Sequence, residues 1–172
     1  MEPEQPPAAR GSEREGLDDL AFRDARREDL PLLVAMLAHD PLGSRREDPG
    51  PPLPESYSRA FEAIAADPHQ ELLVATRNDE VVGMLQLTRI PSLTYRGGWR
   101  ALLEGVRVRE DQRGRGVGRA LVLEAVERAR ASGCRLLQLT TDRSRPEALR
   151  FYEGLGMIAS HHGLKLDLQG PS

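Results

Sequence analysis

The sequence predicts an α/β protein whose mixed sheet is flanked by helices, and two observations support this fold class. Short apolar runs with alternating polarity, which are typical of strands, occur along most of the chain. Between them lie segments whose apolar residues recur every three or four positions, as on one face of a helix. In chain order these segments give the succession βααβββαβαβ, which is compatible with one sheet covered by helices.

Length and composition bound the organisation of the chain. At 172 residues the chain is long enough for one domain with a substantial core, which we expect over residues 20–169. Residues 1–19 are rich in Pro, Glu, Gly and Arg, so we expect a flexible tail there. The net charge of −3 does not suggest a nucleic-acid partner, and a single cysteine suits a reducing compartment. No apolar run approaches membrane-spanning length and no secretory signal is visible, so we expect a cytoplasmic protein without a membrane partner.

The first half of the chain is expected to form a strand, two helices and a hairpin. Pro31 is tolerated because it lies in the first turn of the first helix. Asp40 to Pro54 contains five prolines and two glycines and is too broken for regular structure. The second helix ends before Pro68, and Arg77 to Glu80 is a hairpin turn. The expected bounds are Leu20 to Ala25, Arg27 to Ala38, Glu55 to Ala66, Glu71 to Thr76 and Val81 to Arg89.

The second half is expected to form a strand, a helix and a second strand, followed by a short helix and a tail strand. A loop at Thr94 to Gly98 leads into the first of these strands. The long helix has an apolar face from Val117 to Ala129 and ends at Ser132-Gly133. The short helix begins with a proline in its first turn. The expected bounds of the other elements are Arg100 to Val108, Arg135 to Thr141, Pro146 to Gly154 and Ile158 to Leu168.

A turn of alternating glycine and arginine joins the central strand to the long helix. Glycine permits close approach of a ligand to the backbone, and the first N–H groups of a helix have no intrahelical acceptor. Together with the positive end of the helix dipole, these N–H groups form a site for phosphate. We therefore expect an anion site, most suitable for a pyrophosphate, in the segment Arg113-Gly114-Arg115-Gly116-Val117-Gly118-Arg119.

Two other phosphate-binding motifs were compared with this segment. A nucleoside-triphosphate loop requires a lysine, and the chain has only Lys165. In a dinucleotide-binding motif the third glycine would fall on Arg119 or Leu121, which are too large for close packing of helix and strand. Asp142, at the end of the next expected strand, could imitate the acid that binds ribose, so a dinucleotide-dependent oxidoreductase stays open as an alternative.

Two motifs resemble the Gcn5-related N-acetyltransferase (GNAT) family. The segment Arg113-Gly-Arg-Gly116-Val-Gly118, after a Val-Arg-Val strand, resembles the family's acetyl-coenzyme A loop, Arg/Gln-x-x-Gly-x-Gly/Ala. The segment from Ala148 to Met157 resembles Ala-x-x-Phe-Tyr-Glu-x-Leu-Gly-Phe, with methionine in place of the last phenylalanine. One helix and one strand separate the motifs, as in the family, and the resemblance covers roughly residues 100–166.

The resemblance implies a mostly antiparallel sheet in which two central parallel strands splay apart. The gap would admit the pantetheine arm of acetyl-coenzyme A, the cosubstrate, whose amides would pair with the strand backbone. The family often carries an asparagine where this chain has Arg145, so Arg145 or Asp142 could take over that contact. The implied cofactor-binding residues are Val106, Arg107, Val108, Arg113, Gly114, Arg115, Gly116, Val117, Gly118, Arg119 and Arg145.

The implied reaction transfers an acetyl group to a primary amine by direct attack in a ternary complex. Glu104 is the candidate base, although a strand-end carboxylate is as often simply solvated. Tyr152 is the candidate acid for the departing thiolate, since a phenol is protonated at neutral pH; the alternative is an aromatic pair with Phe151 in the core. Phe151 and Tyr152 are adjacent on a helix, so we expect one in the core and the other at the cleft. Cys134 is expected to pack rather than react, and four histidines without ligand spacing predict no metal site.

The acceptor is not identified by the sequence. A small-molecule amine or a protein amine would fit, and a homodimer is left open. Acceptor specificity is expected in the first helices and in the loops Asp40 to Pro54 and Ser92 to Gly98, since loops on a rigid scaffold carry recognition. His161, His162 and Lys165 could edge the acceptor pocket. A non-catalytic acyl-coenzyme A sensor or interaction module on the same fold is the main alternative function.

Overall fold

The computed structural model describes residues 19–39 and 43–168 and contains a five-stranded sheet in the order β1-β2-β3-β4-β5. Of the predicted tail, residues 1–18 lie outside the described residues. The strands are β1 (Leu20–Asp24), β2 (Gln70–Arg77), β3 (Glu80–Ile90), β4 (Trp99–Val108) and β5 (Cys134–Leu139). The helices are α1 (Leu30–Ala38), α2 (Glu55–Ala66), α3 (Thr94–Gly97), α4 (Val117–Ala131) and α5 (Pro146–Glu153).

The chain forms two compact units that divide between Gln138 and Leu139. The first unit holds β1 to β4, the helices α1 to α4 and nearly all of β5. The second holds the end of β5, then α5 and the residues that follow it. A single domain over residues 20–169 stays a prediction.

The sheet has the predicted mixed, mostly antiparallel character. Antiparallel pairing joins β1 to β2, β2 to β3 and β3 to β4. The β2–β3 hairpin turns through Asn78 and Asp79, whose φ values of 50° and 64° suit the two-residue turn that matches strand twist. Between the neighbouring strands β4 and β5 runs α4, the kind of crossover that parallel strands need. The fold class is confirmed, and the splaying of the two central strands stays a prediction.

The two faces of the sheet are covered by different helices. Met84 on β3 packs in one core cluster with Leu33 and Met36 of α1. The neighbouring residue Gly83 faces the other way, because a Cβ atom placed there would lie 3.3 Å from Val117 Cγ1 on α4. Successive residues of a strand point to opposite faces, so from Gly83 to Ile90 the even-numbered positions of β3 face α1 and the odd-numbered positions face α4. Before Gly83 the register with β2 shifts, and Val81 packs in the same cluster as Met84.

The predicted tail strand at Ile158–Leu168 is wrong. The described residues of this segment form no strand, and Leu164, Leu166 and Leu168 are 92%, 83% and 85% exposed. Alternating apolar residues suit a strand, but a strand also needs a neighbour for its backbone hydrogen bonds, which alternation alone cannot supply. The predicted loop at Thr94 to Gly98 contains the short turn α3, in which Tyr95 and Arg96 have left-handed backbone.

The other bounds agree with the prediction within a few residues. The largest difference is at α1, which begins at Leu30 because residues 27–29 form a 3-10 turn. That turn is held by Asp29, whose carboxylate accepts hydrogen bonds from the Arg26 amide and the Arg23 guanidinium, both at 2.7 Å.

An ion-pair network ties α4 to the sheet. Glu71 on β2 accepts a hydrogen bond from Arg128 of α4 at 2.8 Å and another from Arg89 of β3. Arg128 also contacts Glu124 at 2.9 Å and Asp24 at 3.1 Å. Burial of the Glu71 carboxylate opposes its ionisation, but the two guanidinium groups outweigh burial, and the net effect lowers the pKa of Glu71. The network therefore links three elements of the first unit through one largely buried carboxylate.

We predict that Glu71→Gln lowers the free energy of unfolding by about 2 kcal/mol at pH 7, because two guanidinium groups lose their charged acceptor. A carboxylate with a lowered pKa stabilises the fold above its ordinary pKa of 4.5, and this contribution is lost as the pH falls below that value. The difference between variant and parent should therefore shrink in acid. Urea unfolding between pH 7 and pH 3 measures this difference in the free energy of unfolding. The control is Glu127→Gln, which removes the carboxylate of an exposed ion pair with Arg130. An equal loss in both variants at pH 7 would contradict the prediction.

Candidate functional site

The glycine–arginine turn forms the entry to α4. Gly114 and Gly116 have φ values of 73° and 77°, in the left-handed region that favours glycine. Gly116 immediately precedes the helix, and its carbonyl accepts the hydrogen bond from the Ala120 amide at 3.0 Å. The two left-handed glycines thus turn the chain from the end of β4 into the first turn of α4.

The amide groups of this turn are available to a ligand. Within residues 19–39 and 43–168, no acceptor is found for the amide N–H of Gly114, Arg115 or Gly116. The first N–H groups of α4 also lack intrahelical acceptors, and the helix dipole adds positive potential at this end. Arg113, Arg115 and Arg119 are exposed, and Arg113 Nε donates to the Val108 carbonyl at 3.3 Å. The structure therefore brings the predicted loop residues together in one turn, and we call the turn from Arg113 to Gly118 the anion cradle after its predicted role.

One predicted cofactor residue serves the core with its side chain. Val117 is 1% exposed and lies against the Gly83 position of β3. Only its backbone N–H can therefore face a ligand.

A β-bulge interrupts β4 just before the predicted cofactor-binding backbone. The register with β3 shifts between Met84 and Gln86, and Gly105 has a φ of 60°. Bulges bend a strand and change the direction of its side chains and backbone groups. The half-buried residues Val106 to Val108 follow this bend, and Arg107 Nη1 donates to the Val106 carbonyl at 2.9 Å. The sequence carried a signal for the bulge, since an isolated glycine inside a strand indicates one.

Glu104 lies directly before the bulge. It pairs across the ladder with Gln86, so it is on the face of the sheet that bears α1. Its carboxylate is exposed and has no ion pair or hydrogen bond with any residue in the described part of the chain. Gln86 does not bind the Glu104 carboxylate, because the side-chain amide of Gln86 donates to Gln70 Oε1 at 2.7 Å. The Glu104 carboxylate is therefore exposed and open to contact by a ligand.

The second unit holds Tyr152 on α5. The rings of Tyr152 and Phe151 meet edge to face, and their centroids are 5.0 Å apart. Phe151 is 37% exposed and Tyr152 is half-buried, so the expectation that one ring enters the core while the other does not is wrong. After α5 the chain turns back through Gly156, with a φ of 85°, and the Met157 amide donates to the Tyr152 carbonyl at 3.1 Å. Gly156 therefore ends helix α5.

The residues before α5 form a turn of their own. The Asp142 carboxylate accepts hydrogen bonds from the Ser144 hydroxyl at 2.7 Å and the Ser144 amide at 2.9 Å, which lower the pKa of Asp142. Arg145 is the residue before the helix, and its Nε lies 3.9 Å from the Glu147 carboxylate. Asp142 is thus engaged in local structure, which weakens the comparison with an acid that binds ribose.

The structure also places the predicted cysteine and the polar residues that follow α5. Burial raises the pKa of the half-buried Cys134 thiol, which makes it a poorer nucleophile at neutral pH. His161, His162 and Lys165 are exposed.

Across residues 19–39 and 43–168 there is no group of three His, Cys, Asp or Glu side chains placed to hold a metal ion. No helix in that part of the chain has the length and apolar character needed to cross a bilayer.

Comparison with known proteins identifies the family of the chain. A sequence model of the Acetyltransferase (GNAT) family matches residues 36–157. The chain belongs to this family. Aminoalkylphosphonate N-acetyltransferase of Salmonella typhimurium is 33% identical over 107 residues, which are 62% of this chain and 69% of that protein. Glucosamine 6-phosphate N-acetyltransferase of Trypanosoma brucei brucei is 35% identical over 88 residues, or 51% of this chain and 58% of that protein.

A solved structure extends the similarity to nearly the whole fold. A transcriptional regulator from Bacillus halodurans C-125 is 54% identical, with a TM-score of 0.85 over 87% of this chain and 99% of that one. The resemblance inferred from the two motifs is thereby confirmed.

Sequence reasoning missed one residue on which the cradle of this GNAT protein depends. Gly83 lies on β3, 3.3 Å from Val117 Cγ1 and 3.5 Å from Leu121 Cδ2 when measured from the position of a Cβ atom. Any side chain there would push against the first turn of α4. A glycine within an apolar strand is the available signal, since it indicates close approach of another element.

We predict that Gly114 substitutions lose stability in the order Asn, Ala, Val, with alanine costing about 1 kcal/mol. A Cβ atom at Gly114 meets nothing within 4 Å, so the cost comes from its left-handed backbone alone. Asparagine tolerates this conformation better than alanine, and a β-branched residue tolerates it least. Urea unfolding of the three variants measures the order, and three equal stabilities would show that position 114 is not left-handed.

Proposed function

We propose that this GNAT protein is an acetyl-coenzyme A-dependent N-acetyltransferase that acts on the primary amine of a small molecule. The observation that carries the proposal is the cradle of unpaired amide groups at the start of α4, which follows the bulged end of β4. Family membership supports acetyl transfer, and both curated relatives are N-acetyltransferases whose names specify small-molecule amines.

The residues of the cradle fit the diphosphate of acetyl-coenzyme A. Amide N–H groups from Gly114 to Gly118 would donate to its oxygens, and Arg113, Arg115 and Arg119 would add positive charge. The backbone of Val106 to Val108 would bind the pantetheine amides as an added strand does, and Arg145 would complete the cofactor contacts. When bound, acetyl-coenzyme A supplies an acetyl group activated as a thioester.

The chain's own residues would then manage two protons. Glu104 would accept the first proton of the substrate ammonium, directly or through water, and pass it to solvent. The nitrogen lone pair then forms a bond to the thioester carbonyl carbon as the carbon–sulfur bond breaks. Tyr152 would protonate the departing thiolate and recover a proton from the nitrogen through solvent, so that amide and free thiol are released. The raised pKa of Cys134 supports direct attack in a ternary complex over an acyl-enzyme.

We predict that acetyl-coenzyme A raises the melting temperature and that Gly116→Trp abolishes this shift. A ligand that binds only the folded state adds about 2.7 kcal/mol of stability at one hundred times its dissociation constant. The tryptophan would fill the turn and strain a left-handed position. Differential scanning fluorimetry measures both proteins, with NAD(P) as the control ligand, for which no shift is expected. Absence of a shift with millimolar acetyl-coenzyme A would refute the cofactor assignment.

We predict that Glu104→Gln and Tyr152→Phe each lower kcat by about 10²-fold, the lower end of general acid–base catalysis, while acetyl-coenzyme A affinity stays unchanged. The deficit of Glu104→Gln should shrink as the pH rises toward the pKa of the amine, because the free amine then forms without a base. The deficit of Tyr152→Phe should persist up to about pH 8, since above the ordinary thiol pKa of roughly 8.5 the thiolate can leave without a proton. Thiol release from acetyl-coenzyme A across a panel of amines, from pH 6 to pH 10, provides the measurement. Parent-like rates in either variant would remove that residue from the mechanism.

The second candidate function is a non-catalytic acyl-coenzyme A sensor. The specific observation in its favour is that the 54% identical Bacillus halodurans protein is described as a transcriptional regulator. Tight binding of acetyl-coenzyme A together with no thiol release on any amine would favour the sensor over the enzyme.

A further inference from the structure

Two side chains of opposite charge stand on one face of β4. Arg100 pairs with Ile90 and Glu104 with Gln86, so both lie on the even-numbered face of β3, the face that bears α1. Between them is Leu102, opposite Thr88. We call the five residues Gln86, Thr88, Arg100, Leu102 and Glu104 the acceptor shelf.

The shelf is less covered than the opposite face of the same strands. All of its members are half-buried except the exposed Glu104. On the α4 face of the same strands, by contrast, Leu85, Leu87 and Leu103 are 0%, 0% and 2% exposed. The shelf is therefore partly open to solvent, whereas Leu85, Leu87 and Leu103 on the other face are closed off.

Arg100 lacks the partner that other partly buried arginines have. Its Nε atom is buried without a hydrogen-bond acceptor in the described part of the chain, and no carboxylate there forms an ion pair with it. Arg23 is paired with Asp29, Arg89 with Glu71, and Arg128 with both Glu71 and Glu124. A buried polar group without a partner costs free energy, and a bound ion or ligand is one way to satisfy it.

Glu104 is the complementary case, since its carboxylate is also unpaired among the described residues. The two residues are four positions apart on a regular stretch of strand, so their Cα atoms are about 13 Å apart. Their side chains do not neutralise each other, and a small molecule with a cationic and an anionic end could lie between them.

We propose that the acceptor is a small amine that also carries an anionic group, which Arg100 binds while Glu104 faces the ammonium. This inference rests on the proposed function and adds the substrate class and the residue that selects it. The planar guanidinium forms two parallel hydrogen bonds with carboxylate, phosphonate or phosphate, a geometry that lysine cannot reproduce. Arg100 is a binding residue, and it takes no part in proton transfer.

The test uses amines in pairs that differ in the anionic group. The pairs are D-glucosamine 6-phosphate against D-glucosamine, 2-aminoethylphosphonate against propylamine, and β-alanine against propylamine. Isothermal titration gives the dissociation constant of each amine, and thiol release from acetyl-coenzyme A gives kcat and KM. We expect at least one anionic amine to bind and react tenfold or more better than its neutral partner.

Three variants test whether Arg100 causes the preference for anionic amines. Arg100→Gln should raise KM for the anionic amine to that of its neutral partner, with the neutral partner's kcat/KM unchanged. Arg100→Lys should keep part of the preference, since charge remains and the paired hydrogen bonds are lost. Arg130→Gln removes one positive charge from the exposed ion pair with Glu127 on α4 and should change nothing. The melting-temperature shift caused by acetyl-coenzyme A should be the same in all three, which shows that they are folded.

The outcomes separate this inference from the proposed function. If no anionic amine is preferred, or if the preference survives in Arg100→Gln, the inference is wrong even though acetyl transfer occurs. If anionic amines bind in a manner that depends on Arg100 but no amine releases thiol, the binding site stands and the enzymatic function falls.

Discussion

The close approach of α4 to β3 at Gly83 is the constraint on which the candidate cofactor site depends. Without a Cβ atom on Gly83, Val117 and Leu121 can lie directly against the strand, and both are fully buried. These residues lie in the first two turns of α4, the helix that begins at the anion cradle. The other half of α4 is held through Arg128, which bonds to Glu71 on β2 at 2.8 Å. A helix fixed in both halves presents its first turn in one position, which a preorganised phosphate site requires.

The bulge at Gly105 divides β4 into two functional parts. Before it, the regular ladder sets Arg100 and Glu104 on one face at a fixed spacing. After it, the half-buried backbone of Val106 to Val108 leads toward the cradle. A Cβ atom at Gly105 would lie 3.7 Å from Leu37 of α1, an ordinary contact, so its φ of 60° rather than lack of space favours glycine. The bulge gives the side chains before it and the backbone after it different directions, which the proposed acceptor and cofactor contacts both require.

The sequence was sufficient wherever the structure depends on local patterns. Hydrophobic spacing located the strands β1 to β5 and the helices α1, α2 and α4 of the first unit, although not the short turn α3, and turn chemistry located the Asn78-Asp79 hairpin and the glycine loop. It failed where the outcome depends on a partner distant in sequence. Alternation at Ile158 to Leu168 could not show that the described residues of this segment form no strand. Val117 was predicted both on the apolar face of the long helix and in the cofactor loop, and in the structure its side chain is in the core. Gly83 and Arg100 were missed because close approach and pairing become visible only in three dimensions.

Arginine illustrates why composition could not reveal the site. Lysine and arginine total 24 residues and Asp and Glu total 27, so nearly every arginine could have an acidic partner. In the fold the arginines differ in whether they have an acidic partner. The arginines at positions 23, 89, 109 and 128 form ion pairs. Arg100, Arg113 and Arg115 form no ion pair in the described part of the chain. Arg113 and Arg115 lie in the glycine–arginine turn, so in the proposed site they would add charge to contacts that the backbone amides make. Arg100 has no such support, and its guanidinium would have to provide the anion recognition on its own face of the sheet.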